Sequence, residues 1–84
     1  MAQQPVIVYS AVWCGFCHAA KDYFDKIGVT YEDRDVEADP TAGAELIAKS
    51  GQRAIPVIDI DGDIIIGFDR PRIDAILKKH QLIA

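Results

Sequence analysis

The chain has 84 residues, 50% of them hydrophobic and 26% charged, with a net charge of −4 and two cysteines. That length holds one compact domain, residues 1–84, with a small core, and two neighbouring cysteines close too short a loop to staple a secreted scaffold. An acidic balance with no lysine or arginine cluster argues against nucleic acid, and short apolar runs such as Ile64-Ile65-Ile66 argue against a membrane span.

Val6-Ile7-Val8-Tyr9 is a short β-branched run between Pro5 and Ser10 and reads as a buried strand. From Phe16 the apolar positions Ala20, Tyr23, Phe24 and Ile27 follow at helical spacing, and Gly28 supplies the stop. Tyr31 to Val36 is a second, more polar strand. Asp39-Pro40 offers an N-cap followed by a proline in the first helical position, for a helix running to Ser50 and ending at Gly51. Val57-Ile58-Asp59-Ile60 and Ile64-Ile65-Ile66 flank Asp61-Gly62, a turn dipeptide favoured in antiparallel hairpins. Asp69 caps a last helix with Pro71 in its first turn; Ile73, Ile76 and Leu77 form its apolar stripe, and Lys78 and Lys79 lie near the negative end of its dipole. The order β-α-β-α-β-β-α implies an α/β fold: a four-stranded mixed sheet, its first two strands parallel, flanked by three helices.

Trp13-Cys14-Gly15-Phe16-Cys17-His18 is the densest chemical feature of the chain. Met1 to Pro5 lacks the features of a signal peptide, so the expected setting is cytoplasmic, where cysteines stay reduced unless their chemistry is redox, catalytic or metal-binding. A cysteine just ahead of a helix has its thiolate facing unsatisfied amide N–H groups and the positive end of the dipole, which favours the charged form. Cys14 occupies that position. Cys17, one turn on and deeper in the helix, is placed to resolve a mixed disulfide formed by Cys14. Gly15 allows a tight turn, while Trp13 and Phe16 either form an apolar contact surface for a protein substrate or belong to the core.

Competing readings of these letters are weaker. Structural zinc takes four ligands, and His18 and His80 are the only histidines available to join the cysteines, neither within a second paired motif. Cys-x-x-Cys-His is also the haem attachment signature, but the only methionine available as a second axial ligand is Met1. Asp59, Asp61, Gly62 and Asp63 lack the later spacing and terminal glutamate of a calcium loop and read as a hairpin turn. His18 reads as a helix-surface residue that modulates the thiols. Lys21 shares a helix face with Cys17 and either supports a thiolate or is simply solvated, and the acid-rich stretch Glu32 to Asp39 reads as a solvated strand edge and loop.

From Val6 to about Leu77 the chain resembles the glutaredoxin family of thioredoxin-like redox proteins. The resemblance rests on the cysteine motif, on Arg53-Ala54-Ile55-Pro56, which is similar to the family's Thr-Val-Pro segment, and on Gly67-Phe68-Asp69 before the last helix. It implies a thioredoxin-like fold and a cis Pro56 lying against the cysteine pair. It also implies a substrate-binding surface from Trp13, Phe16, Arg53, Ile55, Pro56, Gly67, Phe68 and Asp69, with the Ile55 peptide groups pairing with a bound thiol substrate. Cys14 and Cys17 are then the catalytic pair of a dithiol thiol–disulfide oxidoreductase that holds no metal or bound cofactor, with glutathione as reductant or co-substrate.

The family's basic residue three positions before the first cysteine is Ala11 here, and the threonine of its proline segment is Ala54. The histidine after the second cysteine and Gly67-Phe68-Asp69-Arg70-Pro71 resemble instead the NrdH-redoxins, donors to ribonucleotide reductase that take electrons from thioredoxin reductase. The partners implied are disulfide-containing proteins, ribonucleotide reductase among them, and either thioredoxin reductase or the glutathione system, with the chain acting as a monomer away from membranes. Two rivals come from other classes: a carrier of a 2Fe–2S cluster held by Cys14 and a glutathione from each of two subunits, and a binding module whose partner affinity follows the state of its cysteines.

Overall fold

The computed structural model describes residues 5–83. The expectation about the segment Met1 to Pro5 falls mostly outside them. The chain runs β1 (Val6–Ser10), α1 (Gly15–Ile27), β2 (Glu32–Asp35), α2 (Pro40–Ser50), β3 (Val57–Ile60), β4 (Asp63–Ile66) and α3 (Arg70–Lys79). The strands form one sheet in the order β2-β1-β3-β4, with β1 parallel to β2 and both other pairs antiparallel. This is the architecture the element order implied. No helix among the described residues is long and apolar enough to cross a membrane.

Alternation along the two central strands divides the core into layers. Val6 and Val8 of β1 join Ile58 and Ile60 of β3 on the face covered by α1 and α3, through Ala20, Phe24, Ile73 and Leu77. Ile7, Tyr9 and Val57 point the other way, toward Leu46 of α2. The edge strand β2 carries Glu-Asp-Arg-Asp, and charge of this kind blunts an exposed sheet edge.

Local chemistry sets the element ends. Asp39 Oδ1 accepts from Thr41 N–H at 2.9 Å, and Asp69 Oδ1 accepts from Arg72 N–H at 3.3 Å, each with a proline in the first turn. Helices α1 and α2 end on Gly28 and Gly51 in the left-handed conformation, φ 75° and 73°. In the β3–β4 hairpin both Asp61 and Gly62 have positive φ, 49° and 99°, as a two-residue turn of this hand requires. Within this turn Asp59 accepts from Gly62 N–H at 2.8 Å and pairs with Lys49 at 2.7 Å. Burial works to lower the Lys49 ammonium, but the hydrogen bonds with Asp59 and Tyr9 outweigh it and raise its pKa.

The acid-rich stretch is less solvated than its composition suggests. Arg34 binds Glu32 at 3.2 Å and Glu45 at 3.0 Å, Glu45 also accepts from the Tyr9 hydroxyl at 2.9 Å, and Asp35 accepts from Glu37 and Ala38 N–H. Burial, opposed by Lys49 and reinforced by Glu45, raises the Tyr9 hydroxyl pKa.

Phe24 is fully buried at the centre of the larger cluster. Phe24→Ala should cost about 3–5 kcal/mol, most of the stability expected of a domain this size, read as a collapse of the urea midpoint. At the hairpin, the hydrogen bond from His80 and then that from Lys79 hold the Asp63 carboxyl below its ordinary 3.8. A depressed folded pKa gives stability that is present above the unfolded value and lost as pH falls through the folded one. Asp63→Asn should therefore lose less stability than the native chain between neutral pH and pH ~3, measured by urea unfolding at each.

Candidate active site

The first strand delivers the chain to the cysteines through a tight turn. Ser10 ends β1, Ala11 is buried, and the Cys14 N–H donates to the Ala11 carbonyl at 3.1 Å. Cys14 then serves as N-cap of α1: its backbone is extended, φ −90° and ψ 110°, its carbonyl accepts from His18 N–H, and its Sγ accepts from Cys17 N–H at 3.2 Å. A sulfur thus fills the place that a serine or aspartate oxygen takes at most helix starts. There is no acidic residue in the first turn of α1, so Cys14 Sγ is the side-chain acceptor that meets this helix end.

Cys14 and Cys17 are at disulfide distance with Cα atoms 5.2 Å apart. Their accessibility differs: Cys14 is 7% exposed and Cys17 0%. The small exposure that remains in the pair therefore belongs to Cys14, the residue that would meet a substrate first. Gly15, read as allowing a tight turn, follows the turn and has no backbone conformation that requires glycine. It is the first helical residue, lacks a positive φ, and has open space where a Cβ would stand.

Around the pair, Trp13 and Phe16 prove to be surface residues, 67% and 71% exposed, and Val12 joins them at 75%. These side chains are not core; they leave an exposed apolar group next to the cysteine pair in sequence. His18 is exposed and its Nε2–H donates to the Val12 carbonyl at 2.7 Å, tying helix to turn. Lys21 is neither free nor aimed at a thiolate: its ammonium meets Asp33 at 3.0 Å, and Asp33 also accepts from the buried Ser10 hydroxyl.

The Ile55–Pro56 bond is cis and Pro56 is buried. The loop before it is propped by Gln52, whose side-chain amide bonds both the N–H and the carbonyl of Ala54. Ile55 packs beside Tyr9, Leu46 and Val57. Gly67, in the left-handed region at φ 86°, donates its N–H to the Pro56 carbonyl at 2.8 Å and so joins the two loops that the sequence motifs singled out. Asp69 spends its carboxylate on the cap of α3, and the Phe68 ring packs edge-on against Tyr23 with centroids 6.0 Å apart. Arg53 is exposed at a shallow groove of about 360 Å³, lined also by Val36, Glu37, Gly43, Leu46 and Ile47.

A glutaredoxin family model matches residues 6–65, from the first strand through the cysteines and cis proline into the hairpin. The chain belongs to the glutaredoxin family. It is 35% identical over 72 residues to a glutaredoxin-like 8.6 kDa protein of the rubredoxin operon of Clostridium pasteurianum, covering 86% of this chain and 96% of that one. Its fold is similar to that of a buckwheat glutaredoxin–glutathione complex, with a TM-score of 0.75 at 28% identity over 95% of this chain and 82% of that one. It is also similar to NrdH-redoxin from Escherichia coli, described as having a thioredoxin-like activity profile, with a TM-score of 0.73 at 28% identity over 83% and 91%. Thiol–disulfide oxidoreductase activity, with glutathione as reductant, is typical of the glutaredoxin family.

Two contributors escaped the sequence reading. Gln52 carries no motif, and Glu37, which accepts the Trp13 indole N–H at 3.1 Å, was hidden in the acidic stretch. An exposed indole beside a reactive cysteine was the available signal, since its N–H seeks an acceptor. In the reduced glutaredoxin-like chain, a limiting dose of iodoacetamide at neutral pH should label Cys14 almost alone. Cys17 should react only after unfolding, as peptide mass mapping of both samples will show.

Proposed function

We propose that this chain is a dithiol oxidoreductase that reduces the disulfides of proteins through Cys14 and Cys17. The observation that carries the reading is the asymmetry of the pair, with Cys14 at the helix cap and 7% exposed and Cys17 fully buried within bonding distance. The Cys14 thiolate attacks one sulfur of a substrate disulfide. That S–S bond breaks, the leaving sulfur takes up a proton, and Cys14 is held in a mixed disulfide. Cys17 then loses its proton, attacks Cys14 Sγ and expels the second substrate thiol, so that two electrons and two protons pass from the dithiol to the substrate.

Substrate binds across the surface formed by Trp13, Phe16, Arg53, Ile55, Pro56 and the Gly67-Phe68-Asp69 turn. Among the described residues, no hydrogen bond to another backbone or side-chain group engages the Ile55 peptide groups, which supports their pairing with an extended substrate segment. No resident cofactor enters the cycle. Glutathione is the family's customary reductant, yet Ala11 brings no charge to the position where the family's basic residue would draw its carboxylate, and Ala11 is buried. Together with the likeness to NrdH-redoxin, this favours electrons from a thioredoxin reductase and, among protein substrates, ribonucleotide reductase.

Cys14→Ser should abolish disulfide reduction, whereas Cys17→Ser should accumulate mixed disulfides visible on non-reducing gels; full activity of the Cys14 variant would sink the mechanism. The electron source is tested by NADPH consumption with one disulfide substrate. Turnover should be faster with thioredoxin reductase than with glutathione plus glutathione reductase, and the reverse order would reject that donor.

A further inference from the structure

We infer that Glu37 is a positioning residue: by holding the Trp13 indole it turns an otherwise mobile side chain into a fixed wall beside Cys14, and so sets how well the chain takes protein disulfides as against small ones. The inference rests on the dithiol reading above and adds a residue to it.

Trp13 precedes Cys14 and stands 67% exposed, so packing alone does not fix its rotamer. Its one polar atom donates to Glu37 Oε1 at 3.1 Å. The backbone that carries Glu37 is itself tied down. The Glu37 N–H and that of Ala38 donate to Asp35 Oδ1 at 2.9 and 3.1 Å, and Asp39 N–H donates to the Asp35 carbonyl at 3.0 Å, so the turn between β2 and α2 is tied down by three bonds. The other end of the turn is secured where Val36 N–H donates to the Ser10 carbonyl at 3.0 Å, at the end of the strand that leads to the cysteines. In the residue before Trp13, His18 holds the Val12 carbonyl at 2.7 Å. The backbone of Val12 and the indole of Trp13 are therefore each held by a polar bond from a different part of the chain.

A small disulfide needs only the sulfur of Cys14. A disulfide in a polypeptide brings flanking residues across Trp13, and a wall already in place spares the association the entropy of ordering a large side chain. Glu37 thus acts through Trp13 rather than on the reacting atoms, and what it favours is an apolar polypeptide surface around a cystine.

Trp13 is the only tryptophan in the chain, so its fluorescence anisotropy reports the clamp directly. Glu37→Ala removes the acceptor, and Glu37→Gln keeps an amide oxygen in its place. In the reduced protein, Glu37→Ala should lower the anisotropy. It should also raise KM for insulin about five-fold relative to KM for hydroxyethyl disulfide, with little change in kcat, while Glu37→Gln stays near the native values. The inference is overturned if the ratio of the two KM values does not move in Glu37→Ala, if the anisotropy does not fall, or if Glu37→Gln is as impaired as Glu37→Ala, which would mean that the charge itself meets the substrate. A native chain that reduces hydroxyethyl disulfide but not insulin overturns the inference and leaves the Cys14–Cys17 chemistry standing; one that reduces neither removes both.

Discussion

The first helix of this protein begins at a sulfur, and the hydrogen bond from Cys17 N–H to Cys14 Sγ fixes much of what surrounds it. For Cys14 to cap α1, β1 must end at Ser10, the chain must reverse within Ala11 to Cys14, and the next residues must be helical from Gly15 onward. The same geometry sends Cys17 inward, one turn along, where it is fully buried. Local structure and reactivity are here one constraint, because the dipole and free amides that seek a capping acceptor also favour a thiolate.

The skeleton was readable because its punctuation is local. Asp39-Pro40, Asp69 with Pro71, the stops at Gly28 and Gly51, and Asp61-Gly62 each act through bonds spanning a few residues, and each does in the structure what its chemistry indicates. Boundaries moved by a residue or two where pairing decides. The second strand is Glu32–Asp35 rather than Tyr31 to Val36, because its register against Ile7 to Ser10 spans those four residues. The cysteine pair was likewise visible from its spacing at a strand-to-helix junction, and the structure brings the two to disulfide distance there.

Long-range partnerships were not. Whether Trp13 and Phe16 face the core or solvent depends on how α1 sits on the sheet, and their types suit both. Lys21 stands on the helix face of Cys17, but its ammonium goes to Asp33, a residue on the edge strand that β-sheet pairing brings alongside. The acidic stretch looked like solvated surface because Arg34 is a single cation among many carboxylates; only the fold gathers Glu32 and Glu45 around it. The two loops of the proline and glycine motifs were each noticed alone, and the Gly67 to Pro56 bond that unites them is a property of the β3–β4 pairing.

The capping role of Cys14 has a consequence for the protein before it folds. A thiolate at a helix start is favoured by that helix, and the helix is held by Ala20 and Phe24 packing on strands from both halves of the chain. A chain newly made, or one that has unfolded, has no cap, no aligned amides and no buried second sulfur, and carries two ordinary thiols. The setting that favours a Cys14 thiolate over an ordinary thiol is therefore gained only on completion of the fold.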